Sequence, residues 1–166
     1  MGGIDGDERI ERLRAGLLKH FADLGNLVAK YQKQDIPLIA TGHLYMKGAF
    51  ASDRQDNIYI GDKENISATE FPAVFDYVAL GHIHRAQSLG NLHHIRYCGS
   101  PLPLSFSETK DDKSACLVEF TGKQLKRIQG LPIPLFRRLK TVKGDFDYVR
   151  NRLQKLATDY ADRLPT

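Results

Sequence analysis

Cysteine is scarce in this chain: Cys98 and Cys116 are the only two in 166 residues. Two isolated cysteines exclude a disulfide framework and a cysteine-rich zinc site. Both lie in apolar, strand-like surroundings ("IRYCGS" and "SACLVEF"), where reduced thiols buried in a core are expected. Long apolar runs are also absent, and none approaches the roughly 20 residues that a bilayer span requires. The opening "MGGIDGDERIERL" is acidic and polar, without the apolar centre of a signal peptide, so a cytoplasmic location without membrane contact is the expectation. Internal repeats and low-complexity tracts are missing too. Acidic residues vanish from one window, 121–144. It holds Lys123, Lys126, Arg127, Arg137, Arg138, Lys140 and Lys143. The chain as a whole carries only +4, so the remainder is net negative. Such a local basic block suits a polyanion, although a solvated basic face gives the same pattern.

What is present suffices for a folded unit. Hydrophobic residues make up 42% and charged residues 27%, and the length fits one ordinary domain or one plus part of another. From Asp5 to about Gln32, the apolar positions Ile10, Leu13, Leu17, Phe21, Leu24, Val28 and Tyr31 step by three or four, which predicts one amphipathic helix. Asp5 with Glu8 gives a capping pattern at its start. Next, "PLIATGH" reads as a strand buried on both faces and ending in Gly-His. "NIYIG" can be a short strand, and "ISATEFPAVF" a loop or short helix. "DYVALGH" repeats the strand-then-Gly-His arrangement. "HHIRYCGS", "SACLVEF", "QLKRIQGL" and "FRRLKTV" read as further β segments of antiparallel character, with a hairpin turn at Thr121-Gly122-Lys123. After Gly144 the pattern turns helical, with Asp145 as cap and Phe146, Val149, Leu153, Leu156 and Tyr160 on one face. Helix, buried strand and second buried strand give an α/β fold class.

Three of the six histidines share a setting. His43 and His82 each follow a glycine at a strand end, and His84 lies two residues beyond His82. Gly42 and Gly81 permit a sharp turn that aims a side chain into a cleft. The crevice beyond the carboxyl ends of buried strands is where α/β folds place ligands. Neutral imidazole suits first-row divalent metals. The spacing in "GHIH" can turn both rings to one side, for one metal or two neighbouring ones. His20 in the helix, and the adjacent His93 and His94, read as structural or surface residues.

"ATGHL", then "ALGHIHRAQ", then "RYCGSPLPLSF" together resemble the SbcD family of nuclease subunits, within the calcineurin-like metallophosphoesterases. The resemblance covers most of the chain, from the first helix through "LKTVKGDFD". It implies part of a four-layer α/β/β/α sandwich over residues 1–140 and the start of a small α+β capping domain over 141–166. It implies two divalent metals, manganese by family habit, with His43 and His82 on one and His84 on the other. Arg85 would lie at the cleft edge near the phosphate path, and Arg137 and Arg138 would face DNA. It also implies hydrolysis of DNA phosphodiesters in repair and recombination, a homodimer, and an SMC-like ATPase partner, SbcC.

Several family motifs have no counterpart here. No Asp has His two positions later. Gly25-Asn26 and Gly90-Asn91 are each followed by leucine rather than histidine. Gly6-Asp7, Gly61-Asp62 and Gly144-Asp145 lack the context of the metal-bridging aspartate. The expected acid/base histidine is therefore not in this chain, which reads as the C-terminal half of the phosphoesterase domain. Three neutral imidazoles without a bridging carboxylate do not offset the repulsion of two dications. The chain alone is expected to be catalytically silent, with apolar sheet surface exposed. A non-catalytic DNA-binding or assembly module is the competing expectation. A phosphoesterase for smaller substrates is a third, against which the wording of the last two motifs argues.

Overall fold

A computed structural model describes residues 6–51, 65–135 and 139–159. The segment "NIYIG", the Asp5 cap, Arg137, Arg138 and Tyr160 lie outside the described residues. The protein is mixed α/β and divides into two units, Met1–Phe136 and Arg137–Thr166.

The first unit opens with helix α1 (Gly6–Val28), which tightens into a 3₁₀ turn at Ala29–Tyr31. The buried stripe is shorter than the sequence pattern. Phe21 is in the core and Leu24 and Val28 pack on it, whereas Leu13 and Tyr31 stay exposed. Gly25 brings the helix close to the following layer: a Cβ there would sit 3.1 Å from Val74 Cγ1.

Four strands follow: β1 (Ile39–His43), β2 (Tyr77–Gly81), β3 (Gln87–Leu89) and β4 (Leu92–Tyr97). They form one sheet in the order β1-β2-β4-β3. β1 and β4 both run parallel to β2, and β3 runs antiparallel to β4. The antiparallel character expected for "HHIRYCGS" is thus met only along its β3 side. β3 itself, three residues of "QSL", is too short to show as a pattern. β1 departs from the expectation of burial on both faces. Among the described residues it pairs with β2 alone, so Ala40 is buried while Ile39 remains 51% exposed. β2 is the interior strand, with Tyr77, Val78 and Leu80 all buried.

A hairpin of β5 (Ser114–Thr121) and β6 (Gln124–Pro132) completes this unit. Its turn is at Gly122, whose φ of 56° suits glycine. Lys123 N donates to Asp35 Oδ1 at 3.1 Å, which ties the turn to the segment after α1. Within the basic window, Arg127 is neutralised across the hairpin by Glu119, at 2.8 and 3.0 Å. The third β segment, "FRRLKTV", is not a strand over its described residues 139–142. Pro132 and Pro134 supply no N–H to extend the ladder, and the chain then passes to the second unit. Cys98 and Cys116 are free, but they are not core residues. Cys98 is exposed and Cys116 half-buried, because Tyr97 takes the inward position beside Cys98 on β4.

The second unit holds α2 (Phe146–Asp159), capped as expected: Tyr148 N donates to Asp145 Oδ1 at 2.8 Å. Phe146 and Leu153 on its apolar side are exposed. Among the described residues, no helix is long and apolar enough to cross a membrane.

Candidate functional site

Parallel pairing brings the carboxyl ends of β1 and β2 to one edge. The register places His43 beside Gly81, so His82 follows one step beyond the last paired row. The rings of His43 and His82 lie edge-to-face, with centroids 5.3 Å apart. Tyr45 stands on the other side of His82 at 6.1 Å.

The glycines act differently from the sequence expectation. Neither Gly42 nor Gly81 has a positive φ; the turn is made by His82 itself, at φ 100°. A non-glycine residue in that region is held there by its surroundings at a cost of roughly 1–3 kcal/mol, and such residues cluster at functional sites. Gly81 instead provides space, because a Cβ would lie 3.0 Å from His43 Nδ1. Ile83, between His82 and His84, is 2% exposed and anchors the turn in the core. On the β1 side, the buried Tyr97 hydroxyl accepts from Met46 N at 2.9 Å and donates to Leu44 O at 2.8 Å, which fixes the chain just after His43. Burial pushes the Tyr97 pKa well above the ordinary tyrosine value, so the hydroxyl keeps its proton.

His84 is held by a different set of residues. Its Nδ1 lies 3.0 Å from Glu108 Oε1. Glu108 sits in a short 3₁₀ turn (Phe106–Glu108) and its side chain is 2% exposed. Its second oxygen, Oε2, accepts from Lys113 Nζ at 2.5 Å and from Leu104 N at 3.3 Å, and lies 3.2 Å from Ser100 Oγ. Lys113, with 1% side-chain exposure, also donates to Ser100 Oγ at 2.9 Å and to His84 O at 3.3 Å. Burial raises the Glu108 pKa, but the hydrogen bonds from Lys113, His84 and Leu104 outweigh it and hold the carboxyl down at about 2. Glu108 and Lys113 escaped sequence reading. "SETKDDK" looks like solvated loop, and only its place directly after "CGSPLPLSF" could have drawn notice.

Arg85 is 57% exposed, with Nε 4.0 Å from Asp111 Oδ1. It lines an open cavity of about 590 Å³ with Phe50, Ala86, Gln87 and Ser88. The Gln87 carboxamide accepts from Phe50 N and donates to Phe50 O, both at 2.8 Å, which fixes the loop that carries this exposed aromatic.

The structure therefore brings His43 and His82 together and secures His84 from behind. As metal donors, these residues fit part of a site. The imidazoles are of the right type, and a carboxylate on the non-ligating nitrogen is the common arrangement behind a metal-bound histidine. The set lacks negative charge: among the described residues, no three His, Cys, Asp or Glu side chains form a group able to hold an ion.

No protein-family model matches the chain. It is similar to curated proteins that carry the name of SbcD, one of the two components of the SbcCD nuclease. With that of Escherichia coli it shares 40% identity over 157 residues, covering 92% of this chain and 38% of the relative. With that of Staphylococcus epidermidis it shares 34% over 117 residues, covering 70% and 31%. With that of Bacillus subtilis it shares 39% over 88 residues, covering 52% and 22%. The chain thus spans 38% of the length of the Escherichia coli relative. A match to 92% of this chain leaves too few residues outside it to omit the histidine corners.

Proposed function

We propose, on the premise that this chain belongs to the SbcD family over the segment it spans, that it supplies one wall of a metal-dependent DNA nuclease centre. The observation that carries this reading is the juxtaposition of His43 and His82 at the ends of adjacent parallel strands, with His84 two residues on. His43 and His82 would hold one divalent ion and His84 the other, manganese in both positions. Bound there, the ions would supply Lewis-acid polarisation of a phosphodiester and an acidified water. The residues of this chain orient and shape. Gly81 admits the His43 ring, Ile83 anchors the "GHIH" turn, and Arg85 offers a guanidinium to a phosphate at the exposed rim. The metal-bridging carboxylate and the acid/base histidine belong to family motifs that this sequence does not contain, so the 166-residue chain is silent alone.

In this reading the first unit is the C-terminal part of a four-layer α/β/β/α sandwich, and α2 begins a small capping domain. The intact assembly is cytoplasmic and works on DNA in repair and recombination, as a homodimer with the SMC-like ATPase SbcC. The basic window 121–144 faces DNA or that partner.

The test uses two samples. The chain alone, with Mn²⁺ and linear DNA, should release no nucleotides. A protein in which the chain is joined to a preceding segment carrying Asp-x-His and Gly-Asn-His should cleave, and His43→Ala, His82→Ala or His84→Ala should lower the rate at least about 100-fold. Turnover by the chain alone, or full rates in the alanine variants, sinks the reading. One observation favours the non-catalytic module instead: the absence, among the described residues, of any three-residue metal-holding group. DNA binding without cleavage in the joined protein would decide for that module.

A further inference from the structure

We infer that Glu108 is a positioning residue: it fixes the His84 ring with its proton on Nδ1 and so leaves Nε2 as the nitrogen available to a ligand. The inference deepens the reading above and rests on His84 being a ligand.

The network is built so that Glu108 can act only as an acceptor toward His84. Lys113 has three ammonium hydrogens, and three oxygens lie within reach: Glu108 Oε2 at 2.5 Å, Ser100 Oγ at 2.9 Å and His84 O at 3.3 Å. With that ammonium and Leu104 N on Oε2, Oε1 is left facing the histidine ring. A carboxylate has no proton to give, so His84 Nδ1 must be the donor in the 3.0 Å contact. A neutral imidazole with Nδ1 protonated carries its free lone pair on Nε2.

His84 is also gripped through its backbone. Ser100 N donates to His84 O at 3.1 Å, and Lys113 reaches the same carbonyl. That approach requires Gly99. Its φ is 80°, and a Cβ would lie 2.8 Å from Ala86 N and 2.9 Å from His84 O, both backbone atoms that cannot yield. One buried ion pair therefore fixes carbonyl and ring together. A pair serving stability alone has no need to touch a histidine ring at all, because apolar replacements of equal volume stabilise as well or better.

The experiment is nitrogen-15 histidine NMR on the full chain, without metal, at pH 8, above the ordinary histidine range. The expected spectrum shows His84 as a single Nδ1-protonated tautomer. An Nε2-protonated or averaging ring overturns the inference, and this measurement needs no variant. Glu108→Gln presents an amide that can donate as well as accept, so it should lose the single tautomer. It should also require at least about tenfold more Mn²⁺ to broaden the His84 ring signals. Ser100→Ala leaves the Oε1 contact in place and should keep the tautomer. A Glu108→Gln chain that stays folded with an unchanged tautomer and Mn²⁺ response overturns the inference. A fixed tautomer with no response to Mn²⁺ in the unmodified chain supports the positioning role and counts against the metal reading instead.

Discussion

Replacing Lys113 with methionine removes a buried ammonium, keeps the side-chain length, and leaves the Glu108 carboxylate in place. In the unmodified protein the two charges are 2.5 Å apart, with 1% and 2% of their side chains exposed. Removing one partner of such a pair costs roughly 3–5 kcal/mol, because the remaining charge is buried without compensation. Against a typical total stability of about 5–15 kcal/mol, that is a third or more. With an m value of about 2 kcal/mol/M, the urea midpoint should fall by about 2 M at pH 7. Acid should narrow the gap. The Glu108 pKa is about 2 in the folded state against an ordinary value of 4.5, so its contribution is full above about pH 4.5 and is lost as pH falls toward 2. Without Lys113 the largest lowering partner is gone while burial still raises the pKa. The variant carboxyl then protonates earlier and sheds its buried charge. Adding Glu108→Leu to Lys113→Met should recover much of the loss, leaving about 1–3 kcal/mol for donors such as Leu104 N that lose their acceptor. A loss below about 1 kcal/mol at pH 7, a gap independent of pH, or a double variant as weak as the sum of its parts would refute the reasoning.

Three other outcomes follow from single positions. At His82, glycine should be more stable than alanine by about 1–2 kcal/mol in the same urea assay, because only glycine tolerates φ 100° freely; equal stability would remove the strain from the account. Gly99→Ala should destabilise by more than about 2 kcal/mol, since its Cβ meets backbone on two sides and its φ is 80°; a near-neutral result would mean that the 84–86 turn moves freely. If the basic window neutralises phosphates, DNA affinity should fall steeply with salt. Charge reversal at Arg137 and Arg138 should then flatten the log–log slope by about 2, and an unchanged slope would take them out of any interface.

The sequence alone determined the local features. The 3.6-residue apolar spacing marked α1, because a helix buries one stripe whatever it packs on. Asp145 as a cap and Thr121-Gly122-Lys123 as a turn were legible, because both rest on chemistry within a few residues. The two Gly-His corners and their resemblance to SbcD were also plain, since they are contiguous words. Tertiary structure decided the rest. Whether β1 is an interior or an edge strand depends on its neighbours, and no property of "LIA" states them. Cys98 faces outward because Tyr97 takes the inward place, which alternation allows but does not choose. That His82, not its glycine, makes the turn follows from how Gly81 and the His43 ring share space. Glu108 and Lys113 are the clearest case. Each is an ordinary charged residue in a polar stretch, and only the folded chain carries them into the interior to meet His84 from 24 and 29 positions away. Ionisable groups enter a core when partners are already placed to receive them, and that placement is a property of three-dimensional packing alone.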